Sequence, residues 1–187
     1  LAQARSLAAL VAERFAADDG GLYDSTAPDL VYRTRETADG PTPSGAAAAA
    51  HAFARLAQMT GDATDRERAA RVLATLSPAV ADSPADHPWG AVAVDLLVGP
   101  VARVELRGPV AAARRWAAAI RARSFPFAML VRPAAATEDE PLQATVCVDA
   151  TCLEPATTLD DLLARLSTAL RTPGPTSAPA SRPADGR

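Results

Sequence analysis

The chain has 187 residues, a formal net charge of −3, and 49% hydrophobic residues of which few are aromatic (4% of the chain). The length supports a hydrophobic core, and the acidic balance excludes general nucleic-acid binding, which leaves a basic footprint. All 19 basic residues are arginine and neither Lys nor Asn occurs, which excludes a Schiff-base lysine, a phosphate-loop lysine, a Ser-Lys dyad and an N-glycosylation acceptor.

In chain order, Leu1 to Ala17 is predicted as a helix. Leu7, Leu10, Val11 and Phe15 recur at helical spacing, and Asp18-Asp19-Gly20-Gly21 ends it. Residues 22–43 form a long connection rich in Gly, Pro, Asp and Thr, with a short strand expected at Leu30-Val31-Tyr32. Ser44 is a natural cap for a second helix running to about Thr60. Gly61-Asp62 is a tight break before a third helix to about Val80, and Ser83 to Pro88 reads as a turn before a fourth from Trp89 to Leu97. The periodicity then changes. Val101–Leu106, Phe125–Val131 and Leu142–Val148 read as strands, with helices at Val110–Arg123 and Leu159–Leu170, the latter capped by Thr158. The closing segment is rich in Pro, Ser, Ala and Gly and is expected to be disordered.

Three parts follow: a helical array over 1–98, a small β-α-β-β-α unit over 99–171 and a tail over 172–187. Helices joined alternately by a long loop and a tight turn suggest antiparallel hairpins, which stack into bundles, solenoids or toroids. The alanine-rich helices bury little area per residue. The chain opens at Leu1 inside a helical pattern, so further helices are expected upstream and the visible lack of a signal peptide excludes little. No apolar run is long enough to span a bilayer without charges or prolines, and the expected location is the cytoplasm.

Chemistry-bearing residues gather in the long connection. Asp24, Glu36 and Asp39 are of a type to bind sugar hydroxyls or act as acid and base. Arg33 and Arg35 suit a carboxylate or phosphate, and Ser44 opens a helix whose N-terminus favours an anion. The competing expectation is structural: Asp and Gly make turns, Ser caps a helix and Arg-Glu pairs fasten loops. Of the two histidines, His51 is expected in a packing or surface role and His87 in a turn leading into a helix, and they cannot by themselves build a multi-histidine metal site. No metal or cofactor is expected. Trp89 and Trp116 are expected in the core, and Arg114, Arg115, Arg121 and Arg123 on a solvated helix face. The spacing of Cys147 and Cys152 allows a disulfide across a turn or half a metal site. The favoured expectation is a buried strand cysteine and a turn cysteine, both reduced.

Gly20-Gly21-Leu22-Tyr23-Asp24, then Arg35-Glu36, then Asp39-Gly40-Pro41-Thr42-Pro43-Ser44-Gly45, open an alanine-rich helix that closes in Leu56-Ala57-Gln58-Met59-Thr60-Gly61-Asp62. With Val146-Cys147 and Cys152-Leu153-Glu154-Pro155, this resembles the thioredoxin-domain-containing proteins related to the spermatogenesis-associated thioredoxin-like protein. The resemblance runs to about Leu170 and matches only the last part of a family member. It implies part of an (α/α)6 toroid similar to N-acylglucosamine epimerases and six-hairpin glycosidases. It also implies that Asp24, Glu36, Asp39 and Ser44 lie at or near the toroid mouth. The partners so implied are the remaining toroid helices and a thioredoxin-like domain of the same parent chain. Ala46 stands where the family pattern has asparagine, and the Cys-x-x-Cys of the redox half is absent from this sequence.

Three functional expectations result. The parent toroid binds or processes a carbohydrate-like small molecule; or it is a non-catalytic scaffold or client-binding partner of the thioredoxin-like domain; or the chain is a free-standing four-helix interaction module.

Overall fold

Alanine sets the spacing of the first half of the chain. In a computed structural model, which describes residues 1–27, 29–133, 137–148 and 151–170, α1 spans Ala2–Arg14 and α2 spans Gly45–Thr60. The buried residues of α2 are Ala46, Ala47, Ala50, Phe53, Ala54, Leu56 and Ala57, one inward stripe at helical spacing. Small side chains let α3 (Ala63–Asp82) and α4 (Pro88–Val98) pack against this stripe. Phe53, only 1% exposed, fills the space between them together with Val72, Leu76 and Leu96.

Local chemistry explains the boundaries. Ser44 Oγ accepts from the Ala47 N–H at 3.3 Å and starts α2, while Gly61, left-handed at φ 74°, stops it. Asp62 then caps α3 by accepting from the Thr64 N–H at 2.9 Å. Pro78 sits inside α3 and lacks the N–H that would reach the Ala74 carbonyl; the Ser77 hydroxyl donates to that carbonyl instead, at 3.1 Å. A 3-10 turn at Pro84–Asp86 connects α3 to α4.

The second part contains β1 (Ala102–Arg107), α5 (Val110–Ala122), β2 (Ala128–Val131), β3 (Gln143–Val148), β4 (Thr151–Cys152) and α6 (Leu159–Ala169). The sheet order is β2-β1-β3-β4, with β1 and β2 parallel and the other pairs antiparallel. Alternation along β1 puts Ala102, Val104 and Leu106 on one face. They form a core with Ala144 and Val146 of β3, Ala113, Ala117 and Ile120 of α5, and Leu162, Leu163 and Leu166 of α6. On the other face run Arg103, Glu105 and Arg107, joined by ion pairs of both arginines to Glu105. Val101 and Met129 belong to the core of the helical array and so tie the two parts together. Gly108, at φ +100°, turns β1 into α5 where an added Cβ would lie 2.8 Å from Leu142 Cα.

The mainly α fold with a small β-containing unit agrees with the expectation from periodicity, with a two-residue fourth strand, β4, in addition. Three expectations are corrected. Leu30-Val31-Tyr32 forms no strand; it is irregular and exposed, with no neighbouring strand among the described residues to satisfy its backbone. Trp89 is 41% exposed rather than in the core, because it stands at the first turn of α4. Trp116 is only partly buried, at the margin of the second core. The tail over 172–187 lies outside the described residues.

Candidate functional site

The connection between α1 and α2 is built as a self-fastened loop. An Ala16–Leu22 bridge closes the Gly20-Gly21 turn, and the Tyr23 N–H donates to the Phe15 carbonyl at 2.8 Å. The chain returns past itself at the Asp24 N–H to Thr34 carbonyl bond, 3.0 Å. Tyr23 then serves as a platform: the Arg33 guanidinium lies 3.9 Å from its ring centroid and that of Arg35 5.8 Å. Arg33 is held there by donating Nε and Nη2 to the Ser25 carbonyl, at 2.9 and 2.5 Å.

The acidic candidates are mostly engaged within the protein. Asp24 accepts from the Glu36 N–H at 2.9 Å. Asp39 takes the Ser44 N–H on Oδ1 and the Trp89 N–H on Oδ2, both at 2.8 Å. Its own N–H donates to the Asp86 carbonyl at 2.8 Å. One carboxylate thereby binds the start of α2 and the start of α4, whose own cap position, His87, supplies no side-chain cap. Ser44 is buried and spent on its capping bond. Glu36 is exposed; its Oε1 accepts from the Thr37 and Ala38 N–H groups at 3.1 and 3.2 Å.

A cleft of about 380 Å³ opens between this loop and α3. Leu22, Ala46 and Leu76 contribute apolar wall, and Asp19, Arg35, Glu36, Thr37 and Thr75 contribute polar groups. Arg35 Nη1 is paired with Asp19 Oδ2 at 2.6 Å. Hydrogen bonding to Arg35 is the main reason the Asp19 carboxyl titrates below the ordinary aspartate value, and to Asp19 the reason the Arg35 pKa is raised. Gly21 makes room for this pair, since a Cβ there would fall 1.9 Å from Arg35 Nη2 and 3.0 Å from Thr75 Oγ1. A neighbouring hollow of about 440 Å³, which shares Leu22 with the cleft, runs along α1 and carries Glu13, Arg68 and Arg71.

Of the sequence candidates, Arg35 and Glu36 line the cleft; Asp24, Arg33, Asp39 and Ser44 hold its loop. Asp19 and Thr75 were not among those candidates. Asp19 reads as a helix stop, and Thr75 lies on α3, far along the chain from the loop it faces. Ala46, where the family pattern has asparagine, is in the cleft wall.

His51 meets Trp89 edge-on, with centroids 5.0 Å apart, and its pKa is lowered by burial and then by nearby Arg55. His87 Nδ1 lies 2.8 Å from the Ser83 carbonyl, while its buried Nε2 has no partner among the described residues. Cys147 and Cys152 form a disulfide, which corrects the expectation of two reduced thiols. The reason is register: β3 and β4 pair with these two residues directly opposite one another. Among the described residues no group of three or more His, Cys, Asp or Glu is placed to hold a metal ion, and no helix is long and apolar enough to cross a membrane.

Comparison of the chain with protein-family models, curated proteins and solved structures returns no match. The resemblance described above therefore rests on its quoted motifs.

Proposed function

We propose that this chain is the C-terminal, ligand-binding part of a thioredoxin-domain-containing protein with an α/α toroid, and that the cleft beside α3 takes a polyhydroxylated small molecule of the carbohydrate class. The observation that carries this reading is the cleft itself. It has the size of a small-molecule site, with apolar walls and a few polar groups. Those groups are a carboxylate, a guanidinium already oriented by Asp19, and two threonine hydroxyls. Such a set offers both donors and acceptors to vicinal hydroxyls. The reading is one of binding, since hydrolysis requires two carboxyl groups working across a bond, and Asp19 is committed to Arg35. Further hairpins of the toroid and a thioredoxin-like domain are the partners in this reading.

Calorimetric titration with a panel of neutral sugars and sugar acids tests it. Saturable binding is expected, weakened about threefold to tenfold by Glu36→Gln, as for loss of one exposed charged hydrogen bond. Gly21→Ala should weaken it as well by displacing Arg35. Absence of saturable binding across the panel sinks the reading.

A second reading, a non-catalytic scaffold or client-binding partner of the thioredoxin-like domain, is favoured by one observation. Asp24, Asp39 and Ser44 are spent on holding the loop. Turnover of any sugar by the intact protein would remove that reading.

A further inference from the structure

We infer that the Cys147–Cys152 bond is a thiol–disulfide exchange site, attacked at Cys152 and releasing Cys147 as the leaving thiolate. This is independent of the carbohydrate reading and rests on the sheet. Cys152 belongs to β4, the two-residue strand at the sheet edge, and is exposed; Cys147 lies one strand inward and is 7% exposed. An incoming thiolate therefore reaches one sulfur and not the other. Access selects the attacked atom in such exchanges, and the stability of the departing thiolate sets how readily it leaves.

The leaving position is prepared. Cys147 alternates away from the core formed by Ala144 and Val146, onto the face that carries Arg103, Glu105 and Arg107. In the β1–β3 register Arg103 is directly opposite Cys147, a placement that puts side chains about 5 Å apart at Cβ. Arg103 pairs with Glu105 through Nη2, but its Nε–H is buried with no acceptor among the described residues. An unmet buried donor is costly. A thiolate formed at Cys147 supplies an anion on the same face, one strand away, and a neighbouring guanidinium lowers a thiol's pKa. Among the described residues, β1 places Arg103 and Arg107 on this face with Glu105 between them.

The chemistry balances with a small thiol as co-reactant. The thiolate of that molecule bonds to Cys152 Sγ; the disulfide breaks and its electron pair departs on Cys147 Sγ. A second thiolate attacks the small molecule's sulfur in the mixed disulfide, forming the external disulfide and releasing Cys152 as a thiolate. Two small thiols are oxidised and the protein gains two electrons, with two protons as the thiolates protonate. Opening the bond removes the side-chain tie between β4 and β3, leaving the backbone register of the Cys147–Cys152 and Val148–Thr151 pairs.

The test uses the full chain and glutathione. Folded protein is incubated in glutathione buffer, acid-quenched and mapped by mass spectrometry. The mixed disulfide is expected on Cys152, in at least tenfold excess over Cys147. In the Cys152→Ser variant, the alkylation rate of Cys147 against pH should give a thiol pKa below the ordinary value near 8.5. Adding Arg103→Leu should raise that pKa, cutting the neutral-pH thiolate fraction about tenfold for each pKa unit, while Arg103→Lys restores most of it. Glutathione found mainly on Cys147, a Cys147 pKa that Arg103→Leu leaves unmoved, or a disulfide that glutathione opens only after unfolding would each overturn the inference.

Discussion

Asp39 shows how much one side chain does in this loop. Its two carboxylate oxygens satisfy N–H groups at the starts of α2 and α4, two helices far apart in sequence. Replacing a capping carboxylate by alanine costs about 1 kcal/mol for each helix start. Asp39→Ala is therefore expected to lower unfolding free energy by about 1–3 kcal/mol in urea titration, with Asp39→Asn intermediate because only one amide oxygen accepts. An unchanged midpoint would mean that water replaces the carboxylate at both sites. His51 supplies a pH-dependent term. Burial and Arg55 depress its pKa in the folded state, so the unfolded chain binds more protons through this interval. Its contribution is fully present above the unfolded value near 6.5 and is lost as pH falls from there through the folded value. Stability should decline as pH falls below about 6.5, and His51→Gln should flatten that decline. Tryptophan fluorescence should follow the same titration, because Trp89 meets the ring edge-on.

At the scale of elements, periodicity and punctuation carried most of the fold. Ser44, Gly61-Asp62 and Thr158 mark helix ends by local hydrogen bonding, and such signals are visible in a few adjacent residues. The alternation of β1 likewise follows from its own sequence. What stayed hidden depends on distant partners. Thr75 faces the cleft only because α3 packs beneath the Gly20-Gly21 turn, and the cysteines join only because β4 returns in register with β3. Leu30-Val31-Tyr32 has the residues of a strand but no strand beside it, so its composition misleads. The β1–α5 junction is sensitive for a similar non-local reason. Gly108 combines a left-handed φ with backbone of Leu142 against its missing side chain. Gly108→Ala should destabilise by about 2 kcal/mol or more, from backbone strain and the forced shift of Leu142 together. Thermal unfolding checks this; the expected loss should exceed that of Gly40→Ala, where a Cβ meets nothing within 4 Å.

Across the whole molecule, burial is uneven in a way that distinguishes α1 from its neighbours. α2 and α3 each bury several residues between packed helices, whereas Ala8 is the one buried residue of α1, and Leu7 and Leu10 are 64% and 41% exposed. Beside them runs an open groove of about 430 Å³ lined by Ala4, Val11, Ala49 and Met59. Local opening free energy follows buried apolar contact, so a helix resting on one neighbour opens well before the body of the array. Amide hydrogen exchange on the isolated chain should therefore show α1 exchanging at least tenfold faster than the Phe53 region of α2. In the toroid reading, a further hairpin packs on this face and confers the protection that the isolated chain lacks. Leu7→Ser with Leu10→Ser should then lower the isolated chain's unfolding midpoint only slightly, since Leu7 is mostly in water and Leu10 partly so, while reducing binding of a hydrophobic dye. If α1 instead exchanges as slowly as α2, and the double serine variant unfolds much earlier, the helix is fully supported by the contacts described above and no additional hairpin is required.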